Sequence, residues 1–263
     1  MGDFLSIVET PGALLNREQW ERMALRYSLA AEMAAQRRVL EVACGAGVGL
    51  GLLLNRAQRL VACDLSPAAL ALARRNVGAH VTLSAADAQH LPFADDSFDL
   101  ILCFETIYYL PAPETFFREC RRVLTAKGHL VLSTSNPDWP YFVPGAFSVY
   151  YPSVPELTAL LRTSGFTAVQ LFGSLPLDAS NASRLRLTLR RLALQWNFLR
   201  KEHWLTRLLK RLGYGKLIAL PPVLSEPHRM ADPFRQLTPI APDQRDGYHR
   251  VIIAIAGQSS YRY

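Results

Sequence analysis

Residues 39–49 read VLEVACGAGVG, a short apolar strand that runs into a glycine-rich turn. Glycines at such a turn let the backbone approach a ligand closely, and the helix that follows offers free N–H groups. The spacing differs from the dinucleotide pattern Gly-x-Gly-x-x-Gly, since Leu50 occupies the position of the third glycine. The turn also lacks the lysine and the hydroxyl residue of a phosphate-binding loop. The stretch therefore predicts a ligand site that belongs to neither of these phosphate-binding classes.

The chain on both sides of this turn alternates apolar strands with amphipathic helices. Such alternation is the signature of a parallel sheet that is covered by helices on both faces. The periodicity predicts strands over 39–43, 60–64, 80–84, 98–104, 128–135, 166–172 and 250–256, and helices over 17–36, 114–124 and 153–164, with a further helix that begins at Pro67. Residues 1–173 and 248–263 are predicted to form this α/β core. Residues 174–247 are predicted to form a helical, basic and proline-rich insertion before the last strand, as a lid over the acceptor.

Three acidic residues stand at the ends of successive predicted strands. Glu41 lies just ahead of the glycines, where a carboxylate would repel a pyrophosphate but suits a ligand with a positive charge. Asp64 ends the second strand, where a carboxylate can bind both hydroxyls of a ribose. Asp87 follows the third strand and is well placed to reach an adenine edge. Three acids around one glycine turn indicate a nucleoside site without phosphates.

Five motifs, in this order along the chain, resemble those of the class I S-adenosylmethionine-dependent methyltransferases. They are EVACGAG at 41–47, DLSP at 64–67, ADA at 86–88, LPFADDSFDL at 91–100 and RRVLTAKG at 121–128. Within that family the chain is similar to the UbiE-like group of bacterial small-molecule methyltransferases. The resemblance implies a Rossmann-like, seven-stranded sheet with helices on both faces and an antiparallel last strand.

The same resemblance implies S-adenosylmethionine as the cofactor and S-adenosylhomocysteine as the product. The cofactor-binding residues that it implies are Tyr27, Glu41, Ala43, Gly45, Gly47, Asp64, Leu65, Asp87, Ala88 and Phe104. In that arrangement Glu41 and the glycines hold the methionine end, and Asp64 binds the ribose. Leu65 packs on the adenine, whose edge Asp87 reads together with the residue after it. Phe104 lines the methyl site.

Several of these positions also have a purely structural interpretation. Tyr27 either belongs to the core or folds over the cofactor, as a tyrosine of this helix does in related enzymes. Glu41 could instead pair with a helix dipole, and Asp87 could be an ordinary loop acid. Ala43 stands where the commonest form of the motif has glycine, a small departure that should not prevent binding.

The acceptor side offers two catalytic candidates, Glu105 and Tyr109. Glu105 directly follows the fourth core strand, where a carboxylate can accept a proton or bind an amine of the acceptor. Its alternatives are a contact with the methionine moiety and a structural hydrogen bond. Tyr109 either lines the pocket or belongs to the core. The six histidines show no metal-ligand spacing, so no metal is predicted.

The net charge of +7 is concentrated in one segment. Residues 183–216 carry ten Lys and Arg against a single acid, Glu202, so the rest of the chain is mildly acidic. We interpret this segment as a helix that packs on the core with its arginines in solvent. The alternative hypotheses are peripheral contact with an anionic membrane that carries a lipid-linked acceptor, and methylation of RNA. The acidic remainder and the lack of an appended RNA-binding module weigh against nucleic acid.

The expected partner is therefore a small-molecule acceptor, methylated on oxygen or nitrogen. A sugar, a quinone or phenol and another secondary metabolite all fit this description, and the sequence predicts no oligomeric state. The four scattered cysteines suit a reducing compartment, and neither a secretory signal nor a membrane-spanning run is visible. A cytoplasmic location is expected.

Overall fold

The computed structural model describes residues 8–176 and 217–262. The basic segment 183–216, with its predicted helix, lies outside these ranges. The strands are β1 Leu14–Leu15, β2 Arg38–Val42, β3 Arg59–Asp64, β4 Thr82–Ala85, β5 Phe98–Phe104, β6 Leu124–Ser135, β7 Ala168–Pro176, β8 Ile218–Ala219, β9 Thr238–Ile240 and β10 His249–Gly257. The helices are α1 Arg17–Met33, α2 Leu50–Leu54, α3 Pro67–Val77, α4 Pro113–Val123 and α5 Val154–Thr163.

Eight strands form one sheet in the order β4-β3-β2-β5-β6-β10-β7-β9. Strands β2 to β6 pair in parallel, and β10 lies antiparallel between β6 and β7. The predicted seven-stranded sheet with an antiparallel last strand is thus confirmed. The three-residue strand β9 adds an eighth strand at the edge and comes from the predicted helical, proline-rich insertion. An edge position tolerates its Pro239, which has no N–H to donate.

Local sequence signals set the ends of several elements. Gln19 N donates to Asn16 Oδ1 at 2.8 Å and Asn16 N donates to Gln19 Oε1 at 3.0 Å, so a capping box begins α1. The helix ends at Met33, earlier than predicted, and Gln36 has a φ of 57° where the chain turns toward β2. Strand β4 begins two residues later than predicted, because Gly78, with a φ of 64°, opens a short 3-10 turn before it.

The two faces of the sheet bury alternate residues of each strand. Val39 and Leu100 pack on the side of α1 and α2, whereas Leu40 and Ile101 pack on the side of α4 and α5. Fully burying one such side chain stabilises the fold by about 1.5–3 kcal/mol. Glu41 is the exception, a carboxylate on the α1 face that is only 2% exposed. None of the helices within the described ranges is long and apolar enough to cross a bilayer.

The residues before α1 meet the described end of the predicted insertion beside the glycine turn. Strand β1 pairs antiparallel with β8, and Gly12 N donates to Leu220 O at 2.8 Å. Four residues later, Leu224 N donates to Val48 O at 2.7 Å, directly within the turn region. These contacts place two segments that are distant in sequence against the predicted cofactor site.

Gly173 of β7 lies against the ring of His249. A Cβ at Gly173 would lie 2.1 Å from His249 Cγ, and the ring is buried with Nδ1 2.9 Å from Asp246 Oδ2. Because the ring is held in place, we expect Gly173→Ala to lower the free energy of unfolding in urea by about 1–3 kcal/mol. Gly247→Ala, whose Cβ would meet Asp138 O at 3.7 Å, is the control and should change it by less than about 0.5 kcal/mol. Equal stability of Gly173→Ala and wild type would contradict this packing.

Candidate active site

The turn after β2 contains three residues with left-handed backbone. Ala43, Gly45 and Gly47 have φ values of 57°, 55° and 72°. Glycine adopts this conformation freely, whereas an L-residue such as alanine loses roughly 1–2 kcal/mol there. Ala43 therefore carries backbone strain at the predicted ligand site. A Cβ on Gly45 would lie 3.1 Å from Val8 Cγ1, so Val8 packs against the turn.

Asp64 ties the end of β3 to this turn. It is 9% exposed, its Oδ2 accepts from Gly45 N at 2.8 Å, and its Oδ1 accepts from Ser66 N at 2.8 Å. Each carboxylate oxygen has two lone pairs, so both keep capacity for a further donor such as a hydroxyl. Asp64 thus shapes the turn and also offers an acceptor beside it.

The adenine-side candidates lie at the same end of the sheet. Leu65, directly after β3, is 56% exposed although it is apolar, which suits contact with a flat apolar ligand. Asp87 follows β4, accepts from Gln89 N at 2.9 Å and lies near His90, with Oδ2 3.6 Å from Nδ1. Ala88 is buried beside it. The structure therefore brings these residues to the same end of the parallel strands as Asp64 and the glycine turn.

Glu41 points from β2 toward α1 and is paired on one side only. Its Oε1 accepts from the Tyr27 hydroxyl at 2.6 Å, while Oε2 is buried and has no hydrogen-bond partner within the described ranges. Burial raises the pKa of Glu41 to about 7, although the Tyr27 hydrogen bond and the charge of Arg26 lower it. Burial likewise raises the pKa of Tyr27, so the phenol keeps its proton and donates.

Tyr27 lies in the core, beside the residues of the predicted cofactor site. It is buried in the core, and a Cβ on Gly49 would lie 1.8 Å from its ring, so Gly49 makes room for it. It also contacts Glu41 and packs edge-on to Phe104, with ring centroids 5.3 Å apart. Tyr27 thereby connects the first helix, the glycine turn and the end of β5.

Glu105 follows β5 with an unusual backbone and a crowded carboxylate. Its φ is 53°, a left-handed value that costs free energy for a residue with a side chain. Its carboxylate accepts from Tyr108 Oη at 3.1 Å, from Ser133 Oγ at 3.3 Å and from Ser135 Oγ at 3.4 Å. Three hydroxyls from two elements therefore fix the direction of this side chain. The serines of β6 were not anticipated from the sequence.

Tyr109 lies beside this group, in a short 3-10 turn over Ile107–Tyr109. Its ring packs against that of Tyr108, with centroids 4.6 Å apart, and Tyr108 stacks on Tyr151 at 4.5 Å. Partial burial and the neighbouring Tyr151 raise the pKa of Tyr109. Tyr109 is thus a protonated phenol of an aromatic cluster next to Glu105.

Sequence reasoning missed Arg26, whose charge lowers the pKa of Glu41, and Arg22, one turn earlier in α1. Arg26 is 4% exposed and pairs with Glu9, and Arg22 has a buried Nε without a hydrogen-bond partner in the described part of the chain. No motif in the sequence marks Arg26, which directly precedes Tyr27 in α1. A charged residue is rarely buried without a function or a partner.

Comparison with known proteins finds similarity to methyltransferases. Residues 40–132 match the family described as a methyltransferase domain. A probable S-adenosylmethionine-dependent methyltransferase of Mycobacterium tuberculosis is 33% identical over 160 residues, which cover 59% of this chain and 57% of the relative. A demethylmenaquinone methyltransferase of Deinococcus radiodurans is 34% identical over 148 residues, or 54% of this chain and 60% of the relative. This chain thus spans less than two thirds of the length of each relative. The YcgJ protein of Bacillus subtilis shares the fold, with a TM-score of 0.54, 19% identity and coverage of 89% of this chain and 99% of its own.

The raised pKa of Glu41 makes the stability of the cofactor-free protein depend on pH. Between pH 4.5 and about 7 the unfolded chain has released this proton, whereas the folded protein still holds it. The contribution of this group to the free energy of unfolding therefore falls as the pH rises, by at most about 1.4 kcal/mol per pH unit. We expect Glu41→Gln, which cannot titrate, to remove this slope in urea denaturation across that window. Glu114→Gln, at an exposed position, is the control and should keep the slope. Equal slopes in wild type and Glu41→Gln would show that Glu41 is ionised throughout.

Proposed function

We propose that this chain is a class I S-adenosylmethionine-dependent methyltransferase that transfers the methyl group of that cofactor to an oxygen or nitrogen of a small-molecule acceptor. The observation that carries the proposal is the buried, half-paired carboxylate of Glu41 beside a left-handed glycine turn. Asp64 and Glu105, at the ends of the strands that flank β2, complete the arrangement.

The residues present fit the cofactor. The unpartnered Oε2 of Glu41 is suited to the positive amino group of the methionine end, which would also favour ionisation of Glu41. Gly45 and Gly47 let the backbone approach that end closely. Asp64 has free lone pairs for the ribose hydroxyls. The exposed apolar side chain of Leu65 suits one face of the adenine.

The remaining candidates act on the adenine edge and at the methyl site. Asp87, with Ala88 next to it, is assigned to the adenine edge, and its second oxygen is free of backbone donors in the described part of the chain. Phe104, which packs edge-on to Tyr27, is assigned to the methyl site at the end of β5. With these assignments, different parts of the cofactor bind at the ends of neighbouring parallel strands, where α/β proteins generally bind ligands.

When bound, S-adenosylmethionine supplies an electrophilic methyl group on a sulfonium. Glu105 is assigned to accept the proton that the acceptor loses as its oxygen or nitrogen bonds to carbon and the carbon–sulfur bond breaks. Ser133, Ser135 and Tyr108 hold the carboxylate in one direction for this step. Orientation alone can supply roughly 7–11 kcal/mol in favourable cases. Tyr109 is assigned to the wall of the acceptor pocket.

The acceptor class is inferred from the relatives and from the arrangement of the chain. The relative from Deinococcus radiodurans is a methyltransferase of demethylmenaquinone, a quinone. We extend to this chain only the broader class, a small organic acceptor. Residues 1–173 and 248–263 are assigned to the catalytic core. Residues 174–247, whose described end contacts the glycine turn, are assigned to an acceptor lid.

The cofactor assignment predicts that two substitutions affect the binding of two ligands differently. S-adenosylhomocysteine carries the amino acid end, and 5′-methylthioadenosine lacks it. We expect Asp64→Asn to weaken both ligands by about tenfold or more, because it removes charge from the hydrogen bonds to the ribose. Glu41→Gln should weaken S-adenosylhomocysteine alone. Calorimetric titration measures both affinities, and Asp232→Asn at an exposed position is the control. Unchanged binding of 5′-methylthioadenosine to Asp64→Asn would remove Asp64 from the ribose site.

The acceptor class is tested by transfer of radiolabelled methyl from S-adenosylmethionine into a bacterial extract. The extract is then separated into small-molecule, lipid, RNA and protein fractions. We expect label in the small-molecule fraction. Label in the lipid fraction would favour the membrane hypothesis for residues 183–216. Label in RNA or protein would contradict a small-molecule acceptor, and heat-inactivated protein serves as the control.

A further inference from the structure

A cavity of about 570 Å³ opens at the end of the sheet that lies away from the candidate active site. It is lined by Arg37, His129, Ser259, Ser260, Tyr261 and Arg262. Arg37 directly precedes β2, whereas the glycine turn follows that strand. His129 lies six residues before Ser135 in β6, a separation of about 20 Å at the rise of an extended strand. Since Ser135 contacts Glu105, the cavity is separate from the site proposed for methyl transfer.

Arg37 brings a positively charged donor to this cavity. Its Nη1 is buried and has no hydrogen-bond partner among residues 8–176 and 217–262, and its guanidinium lies over the Tyr261 ring, 5.5 Å from the centroid. Among the described residues that line the cavity, none is acidic. Glu32, whose charge also acts on Tyr261, is paired with Arg229. A guanidinium with an unused donor suits the oxygen atoms of an anion.

His129 brings the opposite kind of group, a hydrogen-bond acceptor. It is only 6% exposed, and its Nε2 lies 3.1 Å from Ser259 O. Because a carbonyl oxygen can only accept, Nε2 carries the proton. Burial and the charge of Arg37 lower the pKa of His129, so the ring is neutral at neutral pH and Nδ1 is an acceptor. This Nδ1 is buried and lacks a partner in the described part of the chain, so it requires a donor.

We propose that this cavity binds a small phosphate compound that carries a hydroxyl group. Its phosphate oxygens accept from Arg37 and from the hydroxyls of Ser259 and Ser260, while its O–H donates to Nδ1 of His129. Inorganic phosphate keeps an O–H at neutral pH, and a sugar phosphate carries hydroxyls on its sugar. Sulfate has the same shape as phosphate but no O–H, so it leaves Nδ1 unpaired. The inference goes beyond the proposed function and does not depend on it.

The size of the cavity distinguishes the two sources of such a group. Sites that bind small organic molecules have volumes of about 300–1,000 Å³. The present cavity falls within that range, and a single phosphate ion would fill only part of it. We therefore favour a sugar phosphate as the ligand, with inorganic phosphate as the smaller probe of the same chemistry.

The test is a calorimetric titration of the full chain in phosphate-free buffer at neutral pH. The probes are inorganic phosphate, sulfate and glucose 6-phosphate, with glucose as the uncharged control. We expect sulfate to bind about tenfold or more weakly than inorganic phosphate, because it leaves a buried acceptor unpaired. Tighter binding of glucose 6-phosphate than of inorganic phosphate supports the sugar phosphate. The reverse order overturns that choice of source.

Two substitutions separate the contributions of the cation and of the acceptor. Arg37→Met should weaken inorganic phosphate by about tenfold or more. His129→Phe, which keeps a ring but removes Nδ1, should remove the preference for phosphate over sulfate. Arg59→Met is the matched control and should bind as wild type does, since Arg59 is an exposed arginine at the same end of the sheet.

Three results would overturn the proposal. If wild type binds neither inorganic phosphate nor glucose 6-phosphate, the cavity is not a phosphate site. If it binds sulfate as tightly as phosphate, His129 does not act as an acceptor. Both results come from wild type, so they stand even where a variant fails to fold. If Arg59→Met weakens phosphate as much as Arg37→Met does, the anion responds only to general positive charge. A protein that binds phosphate here but no S-adenosylhomocysteine would contradict the proposed function alone.

Discussion

The buried carboxylate of Glu41 is the constraint on which α1 and the glycine turn depend. A charge inside a sheet costs free energy unless it is paired and hydrogen-bonded. The Tyr27 hydroxyl supplies one bond, and the charge of Arg26 supplies part of the compensation. Placing Tyr27 there requires a residue without a side chain at Gly49. The position of α1 against the sheet and the glycine at position 49 therefore both accommodate Glu41 of β2.

Backbone strain is concentrated at the ends of the two central parallel strands. Ala43 follows β2 and Glu105 follows β5, and both have left-handed φ values although neither is glycine. Such residues persist only where the surroundings fix them, and they cluster at functional sites. Here the hydrogen bond from Gly45 to Asp64 fixes the first turn, and Glu105 N donates to Ser133 O at 2.9 Å in the second. The strained residues therefore lie at the two places to which the proposed function assigns ligand atoms.

The parts of the fold that were predicted correctly depend on local signals. Strand β5 was predicted with its observed bounds, because a continuous apolar run follows a clear turn. The pairing of β1 with β8 and the edge strand β9 were not predicted, since a two- or three-residue strand is defined by its partner and not by its own sequence. The same distinction holds at the site. Motifs located Glu41 and Asp64, whereas the use of Ser133 by Glu105 arises only when two strands meet.

The neighbours of Glu41 determine how its charge responds to a ligand. Burial raises the pKa of Glu41 to about 7, while the Tyr27 hydrogen bond and the charge of Arg26 lower it. A cationic amino group next to Glu41 favours the ionised form as well, because it pairs with the carboxylate directly. Since coupling between binding events is reciprocal, binding of such a cation and release of the Glu41 proton favour each other. Below about pH 7 the proposed cofactor therefore has to displace a proton from Glu41, and its affinity should fall as the pH falls.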